Sequence, residues 1–226
     1  MRAARRFLDE LGSAADLSQI SRVAVELYGS LALTGVGHGT DRAVLLGLSG
    51  ELPEEVDPVY AGTLFSSIQL NHSLLLAGKH QIPFDLQRDL IFHGDLILPG
   101  HPNALRFTAF RADGSVLARQ VYYSVGGGSV IREGEPAGPE VVTQPVPHPF
   151  SSAAELLAEA HANGLPIWLL MLENESALRS ETEVRHYIQK IWSVMQTSIE
   201  RGLTTEGILP GGLNVRRRAP RLYAKS

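Results

Sequence analysis

His38 is the residue whose type and surroundings most suggest chemistry, because it lies between Gly37 and Gly39. Glycine neighbours leave an imidazole accessible and let the backbone approach a ligand closely. Imidazole also exchanges a proton near neutral pH. The pattern favours a proton-transfer or ligand-binding loop, and the alternative interpretation is a histidine that only hydrogen-bonds its own turn.

A second glycine-rich segment follows Ser124 and contains Gly126, Gly127 and Gly128. Successive backbone N–H groups in such a turn can receive a carboxylate or a phosphate. A plain flexible turn is the alternative interpretation. The segment matches neither the dinucleotide-binding fingerprint nor the P-loop fingerprint.

The sequence does not indicate a metal site. The chain has no Cys, which excludes a disulfide scaffold, a thiol nucleophile, a Cys-based zinc site and an iron–sulfur cluster held by thiolates of this chain. The remaining histidines lack HExxH or any other ligand spacing, so we predict no histidine metal site. They are His72, His80, His93, His101, His148, His161 and His186.

Two further polar groups have simpler explanations. Asn174 and the segment 205–207 lie at the ends of predicted helices, where capping accounts for them. A positive segment, residues 216–225, is typical of a solvated or partner-facing surface, with phosphate or nucleic-acid binding as the alternative. The net charge of −4 argues against nucleic acid as the main partner.

The elements around His38 are predicted to be a strand and a helix. Val23, Val25 and Leu27 alternate with polar neighbours, which predicts a half-buried strand leading into the glycine-rich loop. Thr40 is the predicted N-cap of the next helix, and Asp41 lies in its first turn, where the helix dipole favours a carboxylate. The segments 105–110 and 116–125 flank a Gly-containing turn, which predicts a β-hairpin.

Helices are predicted at both ends of the chain. An apolar stripe of four residues predicts a first helix that stops at Gly12, and residues 57–76 are long enough for another. A Pro- and Gly-rich connector, residues 134–149, separates this mixed α/β region from a helical second half. The stripe consists of Ala4, Phe7, Leu8 and Leu11.

In the second half, Ser152 with Glu155 and Ser180 with Glu183 have the capping-box spacing. Helical spacing of apolar residues then runs to Gly202, which predicts a helix of about 21 residues. Its stripe, which includes a tryptophan and a methionine, indicates ordinary core or interdomain packing. With 44% hydrophobic residues, no apolar run of membrane-spanning length and no signal peptide, we expect a soluble, cytoplasmic protein without a membrane partner.

Five segments in matching order resemble the iron–sulfur-dependent L-serine dehydratases, also called L-serine deaminases. The resemblance extends over essentially the whole chain, and five motifs in order are far more specific than any one. The segments are GSLALTGVGHGTD (29–41), YYSVGGG (122–128), PFSSAAELL (149–157), LENE (172–175) and TTEGILPGGLNVRRRA (204–219).

The chain also departs from this family. Members carry GPSSSHT before the position of Met1, and their cluster-holding cysteines lie beyond the position of Ser226. We therefore expect a fragment, cut at both ends, of a single-chain enzyme. Residues 1–148 are the expected beta-chain-like domain, and residues 149–226 are the expected helical hinge and beginning of the alpha (catalytic) domain.

The resemblance implies both a reaction and a site. In the family, an iron of a [4Fe-4S] cluster activates L-serine, water is lost, and the product hydrolyses to pyruvate and ammonia. The resemblance implies that His38 is catalytic, as an acid–base or substrate-orienting group, and that six residues bind substrate. Those six are Thr40, Asp41, Ser124, Gly126, Gly127 and Asn174. It implies no cluster ligand in this chain.

The implied partners are L-serine, a missing catalytic domain in cis or on a separate chain, and a second copy in a homodimer. One alternative is a stand-alone L-serine sensor, because the first domain resembles the allosteric substrate-binding domain of some phosphoglycerate dehydrogenases. Another is a subunit that docks onto a separate catalytic chain through its Arg-rich tail.

Overall fold

A computed structural model describes residues 1–14, 16–136, 145–209 and 214–225. The chain divides into two units, Met1–Gly138 and Pro139–Ser226, and each is described by itself. Residues 137–144, half of the predicted connector, lie outside the described residues.

The first unit is built on a five-stranded sheet with the strand order β4-β1-β5-β6-β7. β1 runs parallel to β4, and the other neighbouring strands are antiparallel. A separate two-stranded sheet pairs β2 with β3. The strands are β1 (Arg22–Gly29), β2 (Ser73–Leu76), β3 (His80–Pro83), β4 (Leu90–His93), β5 (Asn103–Phe110), β6 (Val116–Gly126) and β7 (Ser129–Arg132).

Helices between and beside these strands confirm the α/β prediction for this unit. They are α1 (Arg2–Ala14), α2 (Ser30–Leu33), α3 (Thr40–Leu48), α4 (Pro58–Asn71) and α5 (Leu86–Asp89), with a 3₁₀ turn at Leu17–Gln19.

The apolar stripe of α1 forms much of the core, as predicted. Ala4, Phe7, Leu8 and Leu11 are all buried, and the ring of Phe7 stacks on that of Phe107 at 5.1 Å. The helix continues past Gly12, where we predicted its end, because a glycine weakens a helix interior by only about 1 kcal/mol relative to alanine.

Strand β1 is more deeply buried than its alternation predicts. Val23, Val25 and Leu27 face the core, but Ala24 and Tyr28 on the opposite face are buried too. The reason is that β1 is an interior strand, hydrogen-bonded to β4 on one side and β5 on the other. Buried side chains also pack against both of its faces. The predicted hairpin between β5 and β6 is confirmed.

The helix predicted over residues 57–76 ends earlier, at Asn71. His72 adopts a left-handed conformation, with φ of 50°, and closes the helix. The residues after His72 form β2, which pairs with β3. The helical pattern of the sequence does not reveal this strand pairing.

The second unit is helical. Its helices are α6 (Ala153–Asn163), α7 (Ile167–Ser176), α8 (Glu181–Thr204) and α9 (Ala219–Tyr223). At α8 the full capping box forms between Ser180 and Glu183. At α6 only half of it forms, because the Glu155 carboxylate accepts hydrogen bonds from Ser151 instead of the N-cap backbone.

α8 has 24 residues and is almost entirely exposed. Val184 is the one buried residue that it contributes, whereas the rest of the predicted apolar stripe is about half exposed, with Trp192 at 53%. Within the described residues, no helix combines the length and apolar character needed to cross a bilayer.

Candidate functional site

His38 lies in the turn between α2 and α3, and α2 follows directly after β1. The chain leaves β1 at Gly29, whose φ of 51° and close contact with the Pro102 carbonyl exclude a larger residue. Gly35, inside the turn, packs beside the ring of Phe92 from β4. The predicted strand is confirmed, but a short helix that the sequence did not predict, α2, lies between it and the glycine-rich loop.

Backbone hydrogen bonds hold this turn in place. The N–H of His38 donates to the Thr34 carbonyl at 3.1 Å, and the N–H of Thr40 donates to the Gly35 carbonyl at 2.8 Å. The predicted N-cap was wrong by one residue. Gly39 is the N-cap, in a left-handed conformation, and Thr40 is the first helical residue.

The imidazole of His38 is held by one nitrogen. Its Nδ1 lies 2.9 Å from the Thr34 carbonyl oxygen, and because a carbonyl can only accept, Nδ1 carries the proton. In the neutral ring, Nε2 is then the basic nitrogen. His38 is exposed, and Nε2 has no hydrogen-bond partner among the described residues, so it is available to a ligand.

Asp41 lies in the first turn of α3, as predicted. Its Oδ1 is buried, and the described residues provide no hydrogen-bond partner for it. Buried polar atoms in folded proteins are nearly always hydrogen-bonded. An N–H or O–H group of a bound molecule would satisfy this carboxylate oxygen, and Thr40 beside it is half-buried.

Both glycine-rich segments leave the sheet at the same edge. Strand register aligns Tyr28 of β1 with Ala104 of β5 and with Tyr123 of β6. Because β1 and β6 run in the same direction, Gly29 and Ser124 lie at one edge, two strand spacings or about 10 Å apart.

The segment after Ser124 is a tight hairpin turn to β7, a strand that the sequence did not predict. Gly127 and Gly128 form the turn, with φ of 58° and 79°, as a two-residue primed turn requires. Gly126, with φ of 99°, closes β6, and Arg2 donates to the Gly128 carbonyl at 3.0 Å. This is a structured turn, whereas substrate binding by Ser124, Gly126 and Gly127 stays a prediction.

Asn174 belongs to the second unit and lies in the last turn of α7, where it is 7% exposed. Its Oδ1 accepts from the N–H of His148 at 2.9 Å, and its Nδ2 donates to the carbonyl of the same residue at 2.8 Å. It therefore pairs with a neighbouring backbone segment instead of capping its own helix. Its predicted contact with substrate stays a prediction.

His148 was not singled out by sequence reasoning. Its Nε2 lies 2.7 Å from the carboxylate of Glu173, and its Nδ1 lies 3.2 Å from that of Glu159. The hydrogen bonds to Glu173, then to Glu159, raise the pKa of His148 above its ordinary value. No local spacing could reveal this cluster, because its members come from three separate segments.

A second cluster, also missed, joins β1, β4 and β5. Arg106 makes two hydrogen bonds to the Glu26 carboxylate, at 2.7 and 2.6 Å, while His93 and Tyr28 lie 3.2 and 3.1 Å from it. Arg106 holds the pKa of Glu26 below its usual range, and burial together with this carboxylate raises the pKa of Tyr28 to about 12. The cluster is fully paired, so we interpret it as structural.

The residues present do not fit an iron–sulfur cluster. The chain has no Cys to supply thiolates, and the described residues contain no group of three or more His, Asp or Glu side chains that could hold a metal ion. The site around His38 therefore offers proton transfer and hydrogen bonding.

Two family models of known proteins match this chain, one in each unit. Residues 1–135 match the family model described as serine dehydratase beta chain, and residues 162–226 match the one described as serine dehydratase alpha chain. An L-serine dehydratase of Streptomyces coelicolor is 44% identical over 221 residues, covering 97% of this chain and 49% of the relative.

Two further relatives show the same coverage. L-serine dehydratase 2 of Escherichia coli is 40% identical, over 98% of this chain and 49% of the relative. An L-serine dehydratase of Haemophilus influenzae is 38% identical, over 99% of this chain and 49% of the relative. The chain spans about half the length of these curated relatives.

Proposed function

This chain belongs to the serine dehydratase family, and from that premise we propose that it forms part of an enzyme that dehydrates L-serine. The observation that carries the proposal is the state of His38, whose Nδ1 is bound to the Thr34 carbonyl and whose Nε2 is open to a ligand. An imidazole in this state can accept a proton and later return it.

The reaction needs such a group. Removal of the Cα proton of L-serine and loss of its hydroxyl as water give 2-aminoacrylate, which hydrolyses to pyruvate and ammonia. We assign His38 an acid–base or substrate-orienting role in this elimination. Asp41 supports it as an acceptor for a substrate N–H or O–H, because its Oδ1 is buried without a partner in the described structure.

The proposed enzyme also needs components that this chain does not supply. A [4Fe-4S] cluster would need ligands from another domain or chain, because this one has no Cys. We also propose a homodimer in the cytoplasm. The relatives are L-serine dehydratases, which supports L-serine as the substrate.

The test is a chimera in which this chain replaces the matched half of the Streptomyces coelicolor relative. We expect the purified chimera to form pyruvate from L-serine, measured in a coupled assay, with the unmodified relative as the positive control. Circular dichroism verifies that the chimera is folded. A folded chimera that binds L-serine in a calorimeter but forms no pyruvate would contradict the proposal and favour a sensing domain.

A further inference from the structure

Four arginines of the second unit line a single pocket together with one carboxylate. The pocket lies where the chain continues from α8 towards α9, and Glu206 is its acidic residue. Arg217 is half-buried, whereas the other arginines are exposed. The arginines are Arg216, Arg217, Arg218 and Arg221.

Backbone hydrogen bonds bring these opposite charges to the same pocket. The N–H of Arg217 donates to the Gly207 carbonyl at 2.8 Å, and Ile208 forms an antiparallel bridge with Arg216. The arginine segment is thereby fixed alongside the residues that follow α8. Glu206, directly before Gly207, lines the same pocket as these arginines.

The charged side chains that line the pocket do not pair with one another within the described residues. Elsewhere the structure pairs arginines closely with carboxylates, as at Arg106 and Glu26. Within the described part of the chain, neither Glu206 nor any of the four pocket arginines makes an ion pair. Four guanidinium groups that no carboxylate pairs within the described residues therefore line the pocket, and a bound anion would pair with them.

The combination of charges selects the class of ligand. The planar guanidinium fork matches a carboxylate or a phosphate. Glu206 would repel a phosphate, but it would accept hydrogen bonds from an ammonium group. Since it forms no ion pair with the arginines, the pocket can receive a molecule that carries both charges.

We propose that this pocket binds the zwitterion of an α-amino acid, with its carboxylate on Arg217 and its ammonium on Glu206. Naming L-serine as that amino acid rests on the proposed function. The pocket is a binding site of the second unit. From the sequence, Glu206 and Gly207 were candidates with capping as the simpler explanation, and the arginine segment had phosphate binding as an alternative.

The test is calorimetric titration of the full 226-residue chain with L-serine. We expect saturable binding that weakens about tenfold or more in Arg217→Gln and in Glu206→Gln, since each removes a charge-assisted hydrogen bond. Arg185→Gln is the matched control, because Arg185 pairs with Glu181 on α8 and does not line the pocket. Near-ultraviolet circular dichroism verifies that the variants keep their fold.

Two partial ligands test the charge assignment. Ethanolamine lacks the carboxylate and lactate lacks the ammonium, so each should bind more weakly than L-serine. Glu206→Gln should strengthen the binding of inorganic phosphate. The inference is overturned if L-serine does not bind, if Arg217→Gln binds it as well as the unmodified chain does, or if phosphate competes equally well for the unmodified chain.

The chimera separates failure of this inference from failure of the proposed function. If it forms pyruvate and Arg217→Gln leaves KM unchanged, the pocket inference fails while the proposed function stands. If it forms no pyruvate but the chain binds L-serine through Arg217 and Glu206, the inference stands and the proposed function fails.

Discussion

His38 and His148 show how the surroundings of an imidazole decide its chemistry. His38 donates one hydrogen bond, from Nδ1 to a backbone carbonyl, which leaves Nε2 as an available base. Both ring nitrogens of His148 are hydrogen-bonded to carboxylates, an arrangement that favours the doubly protonated ring. The first state suits proton exchange with a ligand, and the second suits a fixed charge that links α6 and α7.

The His148 cluster predicts a pH-dependent stability. Its pKa is raised in the folded protein by Glu173 and Glu159, so its stabilising contribution is complete below the unfolded pKa of about 6.5. As the pH rises through the folded pKa, the proton is lost and the contribution disappears. We expect His148→Gln to be less stable than the unmodified chain at about pH 6, by a difference that shrinks towards about pH 9.

The measurement is the free energy of unfolding in urea as a function of pH, for both proteins. His161→Gln is the control, since His161 is exposed on α6 and its ring makes no hydrogen bond in the described structure. A difference between His148→Gln and the unmodified chain that stays constant across this pH range would contradict the assignment.

At the scale of elements, the start of α8 depends on one capping box. The Glu183 N–H donates to the Ser180 hydroxyl oxygen at 3.3 Å, and the Ser180 N–H donates to the Glu183 carboxylate at 2.9 Å. Because α8 is nearly all exposed, tertiary packing compensates little for loss of the cap. We expect Ser180→Ala to destabilise the first turns by about 1 kcal/mol.

Amide hydrogen exchange of α8 measures this effect directly. A loss of 1 kcal/mol corresponds to exchange about fivefold faster in the first turns. Ser198→Ala, in the exposed interior of the same helix, should leave these rates unchanged or slow them, because alanine favours a helix. Equal exchange rates in Ser180→Ala and the unmodified chain would show that the box is not needed.

The elements predicted correctly are those determined by local signals. The α1 stripe, the cap at Ser180 and the β5–β6 hairpin all depend on residues close in the chain. β7 and the end of α4 at Asn71 were missed because strand pairing, not local periodicity, determines them.

For the candidate site too, the sequence predicted local features but not contacts between residues that are distant in the chain. The glycines on both sides of His38 predict its exposure, and the structure places it in an exposed turn. The partner of Glu26 is Arg106, 80 residues away, and that of His148 is Glu173, 25 residues away. Such pairs depend on tertiary structure, which no local pattern specifies.

At the scale of the whole molecule, the two units contribute different features. The first unit supplies a mixed sheet and the turn that presents His38, and the second supplies exposed helices and the arginine pocket. Both units match serine dehydratase family models, and the chain spans about half the length of its relatives. The central claim is that the His38 turn serves the dehydration of L-serine.

The most direct test of that claim is kcat for pyruvate formation by the chimera and by its His38→Ala variant. Loss of an acid–base group predicts a decrease in kcat of about 100-fold or more. The same chimera carrying His161→Ala should keep its activity, since His161 is exposed on α6 and has no assigned role in the reaction. An unchanged kcat in a folded His38→Ala chimera would contradict the role assigned to this residue.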